Sequence, residues 1–174
     1  MPEFSERSKW PTYWLVDPLD GTKEFVNRNG EFTVNIALIK GNAPHLSVVC
    51  VPVQDRTYVG NTSTMEARVY SAAGERHAKS RRFLEKPNEI KVVASRSHVS
   101  DELRAYLASL DEVFTAVETI SMGSSLKLCA LADAEADLYP RLGPTSEWDI
   151  AAAHAVLVAA GGQIYVKDGS PLTY

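Results

Sequence analysis

A short apolar run that ends at an Asp-Pro step constrains the fold of this chain more than any other feature. Residues 13–16 are β-prone, and Pro18, directly after Asp17, cannot donate a hydrogen bond to a strand ladder. The proline predicts that the strand ends there in a turn, with Asp17 at its carboxyl end. Asp20-Gly21-Thr22 follows within that turn. The pattern therefore predicts two carboxylates, three positions apart, presented together at the end of one strand.

The first half of the chain reads as a meander of short strands. After a helical turn at 21–26, β-prone runs are separated by tight turns, and connections this short favour antiparallel pairing. We expect a sheet of four or five strands. Beyond the first strand, the predicted strands are 32–39, 46–53, 57–60 and 67–71.

The second half changes to an alternation of strands and helices, which is typical of α/β packing. Ser100 predicts a helix cap, and Ser146 or Glu147 opens the last helix, which the Gly161-Gly162 pair should terminate. In that last helix we expect Ile150, Ala153, Leu157 and Ala160 to share one face. The predicted strands are 90–94, 116–120 and 163–166, residues 137–139 are expected to be extended, and the predicted helices are 100–110, 126–134 and 146–160.

Size, charge and cysteine usage limit the class of protein. A chain of 174 residues with 45% hydrophobic content suffices for one compact domain. The formal net charge is -4 and the basic residues are scattered, which argues against a nucleic-acid partner. No stretch of about 18 uncharged apolar residues occurs, so no transmembrane segment is predicted. Cys50 and Cys129 lack metal-ligand spacing and favour a cytoplasmic location with free thiols.

Three aspartates are candidate metal ligands. A rigid turn that presents Asp17, Asp20 and a backbone carbonyl toward one point suits Mg²⁺, which prefers hard oxygen ligands. Asp149 adds a third carboxylate in the first turn of the last predicted helix. Each has an ordinary alternative, since turn aspartates are common and an acid in a first turn interacts favourably with the helix dipole. The residues alone leave these alternatives open.

Two segments resemble the signatures of the inositol monophosphatase superfamily, the magnesium-dependent, lithium-sensitive phosphatases. They are residues 14–25 and, much later, 148–152 with 160–162. The ending Lys23-Glu24-Phe25 of the first signature is similar to that of the 3′(2′),5′-bisphosphate nucleotidase branch, as are 28–39 and 123–127. The resemblance covers nearly the whole chain. It implies an α+β fold, a layered αβαβα sandwich of the inositol monophosphatase and fructose bisphosphatase type.

The resemblance also implies roles for individual residues. Two or three Mg²⁺ ions would be held by Asp17, the Leu19 carbonyl, Asp20 and Asp149. Asp20 and Thr22 would be catalytic, with Thr22 positioning the attacking water. The implied substrate is a small phosphorylated nucleotide, adenosine 3′,5′-bisphosphate, hydrolysed to AMP and phosphate in sulfate assimilation. The implied substrate-binding residues are Leu19, Asp20, Gly21, Thr22, Gly123, Ser124, Lys127 and Asp149.

The upstream part of the family pattern has no counterpart in this sequence. The family places a paired glutamate ligand on helices before the first signature, whereas Glu3 and Glu6 are the only acids before Asp17 and are not adjacent. We therefore expect 1–174 to be a single incomplete phosphatase domain, truncated at the N-terminus and also short of the family's usual C-terminus. Its metal-turn and antiparallel-sheet half would be 1–76, and its α/β half 89–174. Without the N-terminal helices, apolar residues of 32–53 would be open to water.

Three functions stay open at this point. The leading one is a magnesium-dependent bisphosphate nucleotidase, because Lys23-Glu24 departs from the Thr-Asn that inositol phosphatases more usually carry. The alternatives are an inositol or sugar monophosphatase, and a catalytically inactive truncated product. A homodimer and peripheral attachment to the cytoplasmic face of the inner membrane are further options that the resemblance allows.

Overall fold

The computed structural model describes residues 3–7, 9–80, 88–95 and 100–174. Eight strands and five α-helices follow one another within these ranges, with a 3-10 turn at Pro52–Gln54. The strands are β1 (Thr12–Asp20), β2 (Thr33–Lys40), β3 (Ala43–Val51), β4 (Arg56–Asn61), β5 (Glu66–Ser71), β6 (Gly74–His77), β7 (Glu89–Ser95) and β8 (Ala116–Met122). The helices are α1 (Phe4–Arg7), α2 (Thr22–Val26), α3 (Asp101–Leu110), α4 (Leu126–Ala132) and α5 (Glu147–Ala159).

The first half forms one antiparallel sheet in which strands β1 to β6 follow in sequence order. The predicted antiparallel meander is confirmed, and the sheet gains β6, which the sequence patterns did not indicate. Alternate residues of each strand point to opposite faces. On β2 the inward side chains are Thr33, Asn35, Ala37 and Ile39, all buried, so the inner face is polar at one end of this strand and apolar at the other.

Strand β1 does not end at Pro18 as predicted. It continues to Asp20, and its pairing with β2 shifts between Asp17 and Asp20, where three steps along β1 match two steps along β2 from Asn35 to Thr33. One extra residue opposite a regular partner is a β-bulge. Proline is tolerated at such a bulge on an edge strand because no ladder bond is required of its nitrogen. The bulge, rather than a terminating turn, separates the two carboxylates.

Helix α5 lies against the inner face of the large sheet and contacts β1 to β5. The predicted shared face is only part of the buried surface of the helix, because residues 151–157 are all buried, including His154. The helix is enclosed on several sides by the sheet and by α4. Gly60 permits the close approach, since a Cβ there would lie 2.7 Å from the Val156 Cα. Gly161 follows the helix with φ 95°, as predicted for its stop.

The second half places a smaller sheet between two helices. Strands β7 and β8 pair in parallel, and Val92 bridges to Leu138, so the predicted extended segment at 137–139 is confirmed. Val92 packs with Leu110 of α3, whereas the next residue, Val93, packs with Ala130 of α4. Because successive strand residues face opposite ways, the two helices cover opposite faces. The layers are therefore large sheet, α4 and α5, small sheet and α3, which confirms the α+β sandwich.

Two details of the predicted fold need comment. The strand expected at 163–166 is wrong, since the structure shows a single bridge between Tyr165 and Pro171 there. The outer face of the large sheet is partly open, as expected for apolar residues of 32–53: Leu46 is exposed, and Trp14 and Val16 on the neighbouring strand are 59% and 52% exposed. Within the described ranges, no helix has the length and apolar character needed to span a membrane.

Candidate metal and phosphate site

Three carboxylates meet where the end of β1 approaches the start of α5. Asp17 and Asp20 flank the β-bulge, and Asp149 lies in the first turn of α5. One oxygen atom from each of these side chains lies within 4.8 Å of the others. Residues that are 129 or more positions apart in the sequence are thus assembled by the contact between one strand and one helix.

Donors from neighbouring residues hold two of the carboxylates. Ser146 caps α5, and its N–H donates to Asp149 Oδ2 at 3.0 Å, while the Thr145 hydroxyl donates to the same oxygen at 3.1 Å. The N–H of Leu19 donates to Asp17 Oδ1 at 3.0 Å across the bulge. The short-range sequence around each aspartate therefore orients its side chain.

Asp20 is held instead by residues from distant parts of the chain. Its Oδ2 accepts from the Ser125 N–H at 2.7 Å and from the Ser125 hydroxyl at 3.0 Å. Thr33 Oγ1 at 3.4 Å and Asn35 Nδ2 at 3.5 Å lie at longer range on the same oxygen. All three donor residues are buried. The sequence patterns missed this network, although two polar residues at inward positions of β2 were a signal for it.

The three carboxylates fit a divalent cation. Each engages protein donors through one oxygen, and the second oxygen of Asp17, Asp20 and Asp149 accepts no hydrogen bond from any residue that the structure describes. Converging carboxylate oxygens that keep free lone pairs are the donor set of Mg²⁺ and related hard cations. The Leu19 carbonyl, expected as a further ligand, belongs to the same bulge.

The electrostatics of the cluster agree with this donor set. Burial raises the pKa of Asp17, and the nearby charge of Asp149 raises it further, against the Leu19 hydrogen bond. Burial also raises the pKa of Asp20, while the Ser125 hydrogen bonds lower it and the charges of Asp149 and Asp17 raise it. Like charges this close destabilise one another. A bound cation would relieve that repulsion.

A cleft of about 250 Å³ opens beside the carboxylates. It contains seven of the predicted site residues, whereas Asp17 and Leu19 are not part of its lining. The predicted residues in its wall are Asp20, Gly21, Thr22, Gly123, Ser124, Lys127 and Asp149. The cleft is also lined by Lys23, Glu24, Ser95, Ser125, Leu128, Tyr139, Arg141, Thr145 and Ile150.

One wall of the cleft is formed where α2 lies against the loop at 123–125. A Cβ on Gly123 would lie 2.5 Å from Glu24 Cγ, and Gly21, with φ 85°, approaches the Ser124 Cβ. The carboxylate of Glu31 accepts from the Gly123 N–H at 2.7 Å. A side chain at Gly21 would therefore press on the loop and be strained at its positive φ, whereas one at Gly123 would require the flexible Glu24 side chain to move.

Lys127 and Arg141, together with Lys23, are the basic residues that line the cleft. Lys127 is 7% exposed, donates to the Ser124 carbonyl at 2.6 Å and lies 5.5 Å from the centre of the Tyr139 ring. Burial lowers the pKa of Lys127, with Arg141 acting in the same direction and Asp20 against it. Arg141 donates to the Pro144 carbonyl at 2.6 Å. It was not among the predicted site residues, because a lone arginine after Pro140 gives no local signal.

Known proteins resemble this chain both in sequence and in structure. The 3′(2′),5′-bisphosphate nucleotidase CysQ of Escherichia coli K12 is 48% identical over 174 residues, with 99% of this chain and 66% of that protein covered. The corresponding Buchnera aphidicola protein is 42% identical, covering 95% and 59%. The crystal structure of CysQ from Bacteroides thetaiotaomicron, described as a bacterial member of the inositol monophosphatase family, superposes with a TM-score of 0.88 at 39% identity, covering 100% and 69%.

A family model supports the same assignment. The Inositol monophosphatase family model matches residues 3–174. An inositol monophosphatase from Zymomonas mobilis shares the fold with a TM-score of 0.80 at 19% identity, over 97% of this chain and 64% of that one. The chain spans just under two thirds of the length of its E. coli relative. It belongs to the inositol monophosphatase family.

Proposed function

We propose that the chain carries a magnesium-dependent phosphatase site that hydrolyses adenosine 3′,5′-bisphosphate to AMP and phosphate. The observation that carries this proposal is the convergence of Asp17, Asp20 and Asp149 beside a cleft that Lys127 and Arg141 also line. Carboxylates suit a metal that binds one phosphate, and cationic donors suit a second phosphate. The bisphosphate nucleotidase relatives named above support this choice of substrate.

In this proposal the metal ligands are Asp17, Asp20, Asp149 and the Leu19 carbonyl. The chemistry that bound Mg²⁺ supplies is neutralisation of phosphate charge and acidification of water. Hydrogen bonds from Ser125 hold Asp20 in place for the ion. The same ligands would be repelled by one another without a cation, so metal binding and site order are coupled.

The remaining cleft residues would bind and orient the substrate. Gly21 and Thr22 would donate to the scissile phosphate at the start of α2, with the Thr22 hydroxyl orienting the attacking water. Gly123 and Ser124 would contact the nucleotide end of the substrate. Lys127, which the Ser124 carbonyl and the Tyr139 ring hold in place, would face the second phosphate.

We also infer the setting of the reaction. Cys50 and Cys129 are free thiols, which agrees with a reducing compartment and a cytoplasmic role in sulfate assimilation. Because the carboxylates come from both 1–76 and 89–174, we treat the two halves as one functional domain. Homodimer formation and peripheral membrane attachment stay predictions.

Substrate choice is tested by phosphate release from adenosine 3′,5′-bisphosphate and from inositol 1-phosphate, each with Mg²⁺ or with EDTA. The E. coli relative serves as the positive control. We expect release from the nucleotide in Mg²⁺ and none in EDTA. Release from inositol 1-phosphate alone would favour the inositol phosphatase alternative. Release from neither compound, while the control is active, would identify the chain as catalytically inactive.

The second phosphate is tested with Lys127→Met and Arg141→Met. Each lost charge-assisted bond should lower kcat/KM for the bisphosphate by about 10- to 100-fold, since such bonds contribute about 1.5–3 kcal/mol. Adenosine 3′-monophosphate, which lacks the second phosphate, is the matched substrate and should be affected much less. Equal losses with both substrates would contradict this role for Lys127 and Arg141.

A further inference from the structure

We propose that Ser125 is a positioning residue that fixes the Asp20 and Asp149 segments relative to each other, and that Asn35 sets the direction in which the Ser125 hydroxyl donates. The inference rests on the proposed function, because it takes these carboxylates to be metal ligands. It gives Ser125 and Asn35 a role distinct from contact with the nucleotide.

Ser125 touches both elements that deliver the metal carboxylates. Its N–H and its hydroxyl lie 2.7 Å and 3.0 Å from Asp20 Oδ2, at the end of β1. The same hydroxyl lies 2.5 Å from the backbone carbonyl oxygen of Asp149, in the first turn of α5. Ser125 is 4% exposed, so water does not compete freely for these bonds. One side chain therefore links the strand ligand to the helix ligand.

Asn35 determines how the single hydroxyl proton is used. Its Nδ2 lies 2.9 Å from Ser125 Oγ and 3.5 Å from Asp20 Oδ2. Because the carboxylate can only accept, the amide presents its NH₂ group to this side. Ser125 Oγ then accepts from Asn35, and its proton is available to Asp20 or to the Asp149 carbonyl. The hydroxyl is thereby directed toward the carboxylate segments.

Burying an amide on β2 costs folding free energy, and packing alone does not explain why Asn35 is found there. Asn35 is 1% exposed, and its Oδ1 has no hydrogen-bond partner among the residues described. Ala37 and Ile39 continue the same inward face with apolar side chains. A buried polar atom without a partner destabilises a fold. An amide at this position is explained if the metal site needs a hydrogen-bond donor toward Ser125. Functional sites are where residues that destabilise the fold locally are retained.

Ser80 provides a matched comparison within the same helix contact. It is also buried, and its hydroxyl donates at 3.1 Å to the carbonyl of Ala160, just beyond the far end of α5. The bond is of the same kind as that of Ser125 to Asp149. Ser80 differs from Ser125 in having none of the three candidate metal carboxylates as a partner. Comparing variants of the two serines therefore distinguishes a contribution to folding from a contribution to metal binding.

The experiment measures Mn²⁺ binding by electron paramagnetic resonance, without substrate, for the unmodified chain, Ser125→Ala, Ser125→Thr and Ser80→Ala, with Tm measured in parallel. We expect Ser125→Ala to bind Mn²⁺ about tenfold more weakly, the lower end of what support residues of metal ligands contribute. Ser125→Thr should restore most of the affinity. Ser80→Ala should lower Tm about as much as Ser125→Ala while leaving Mn²⁺ affinity unchanged.

Equal Mn²⁺ affinity of Ser125→Ala and the unmodified chain would overturn the inference, as would an equal loss in Ser80→Ala. If Ser125→Ala does not fold, Asn35→Ala takes its place, with about tenfold weaker binding expected and unchanged binding as the contradiction. A chain that binds Mn²⁺ and shows the Ser125 effect, yet releases no phosphate, would contradict the proposed function and leave this inference standing. A chain that binds no Mn²⁺ would overturn both.

Discussion

The N-terminal end of helix α5 meets aspartates and a serine, whereas its C-terminal half meets valine, leucine and alanine side chains. The helix as a whole contacts the large sheet and α4. The N-terminal end brings like charges within 4.8 Å and buries polar atoms. The C-terminal half contains Val156, Leu157 and Ala159, all nearly without exposure.

The two parts of this buried helix therefore contribute differently. The N-terminal end contributes to the proposed metal site, and the C-terminal half contributes to folding stability. Like charges and unpaired polar atoms at the N-terminal end cost folding free energy, which a cation can return on binding. Apolar packing in the C-terminal half supplies stability directly. Substitutions at the two ends should therefore change different measured quantities.

The largest effect is expected for Asp17→Asn at the carboxylate end. The amide oxygen can still accept from the Leu19 N–H, but the charge of a proposed metal ligand is lost. We expect kcat/KM for the bisphosphate to fall about a thousandfold, on the order of 4 kcal/mol. Tm in EDTA should rise, because the buried, repelled charge that raises the pKa of Asp17 is removed.

Asp168→Asn is the matched control for that substitution. Asp168 Oδ1 accepts from the Ser170 N–H two residues on, as Asp17 Oδ1 does from Leu19, but it lies outside the cluster and is exposed. Its activity should stay at the unmodified level. If Asp17→Asn instead lowers Tm in EDTA and retains its activity, the assignment of Asp17 to a metal site is contradicted.

The next effect is expected where the apolar half of α5 packs on β4. Gly60→Ala places a Cβ 2.7 Å from the Val156 backbone, so strand or helix must shift, at about 3 kcal/mol of unfolding free energy. Gly143→Ala is the control, because a Cβ there meets nothing within 4 Å. Its effect should stay within about 0.5 kcal/mol. Urea unfolding of both variants checks this, and equal stabilities would show that the packing is looser than described.

Sequence reasoning located the parts of this arrangement that are encoded locally. The strand at 13–16, the cap at Ser146 and the two aspartates of the bulge each follow from neighbouring residues. The continuation of β1 past Pro18 did not, because a bulge depends on pairing with β2. Burial around all of α5 was missed because an alanine-rich helix carries a weak apolar stripe and its surroundings decide which sides are covered.

The candidate site likewise has features that follow from neighbouring residues and features that depend on residues far apart in the sequence. The aspartate positions could be predicted from their signatures, whereas the bonds from Ser125 and Asn35 to Asp20 join residues 90 or more positions apart or on separate strands. Arg141 enters the cleft through the path of the loop after Pro140. Such contacts exist only after the sheet and the two helices have packed.

A pH-dependent effect is expected within the buried part of α5, at His154. The side chain is 6% exposed, its Nδ1 lies 3.0 Å from the Tyr174 hydroxyl, and burial lowers the pKa of His154 to about 4. In the unfolded chain, where the imidazole pKa is about 6.5, His154 binds a proton first as the pH falls. Stability from the neutral imidazole is therefore complete above pH 6.5 and lost toward pH 4, by up to about 3 kcal/mol.

The measurement is the unfolding free energy from pH 7.5 to 4.5 for the unmodified chain and His154→Gln. Asp17 and Asp20, whose pKa values are raised, change stability in the opposite direction and are common to both proteins. The difference between the two curves isolates His154. Parallel curves would show that the imidazole is not kept neutral by burial.

The smallest effect is expected for the ion pair that ties α1 to the first residue of α5. Both guanidinium nitrogens of Arg7 bond the Glu147 carboxylate, Nη2 to Oε1 at 2.9 Å. Glu147 is partly exposed, so solvent reduces the interaction, and a coupling of about 1 kcal/mol is expected. A double-mutant cycle with Arg7→Gln and Glu147→Gln measures it. A coupling near zero would mean that the Arg7–Glu147 pair contributes nothing to stability.

The claim that β1 and α5 together hold a divalent cation is tested most directly by anomalous diffraction from crystals soaked in Mn²⁺. We predict a peak about 2.2 Å from one oxygen each of Asp17, Asp20 and Asp149. A saturating soak that gives no peak between these carboxylates, or places the ion elsewhere in the cleft, would contradict it.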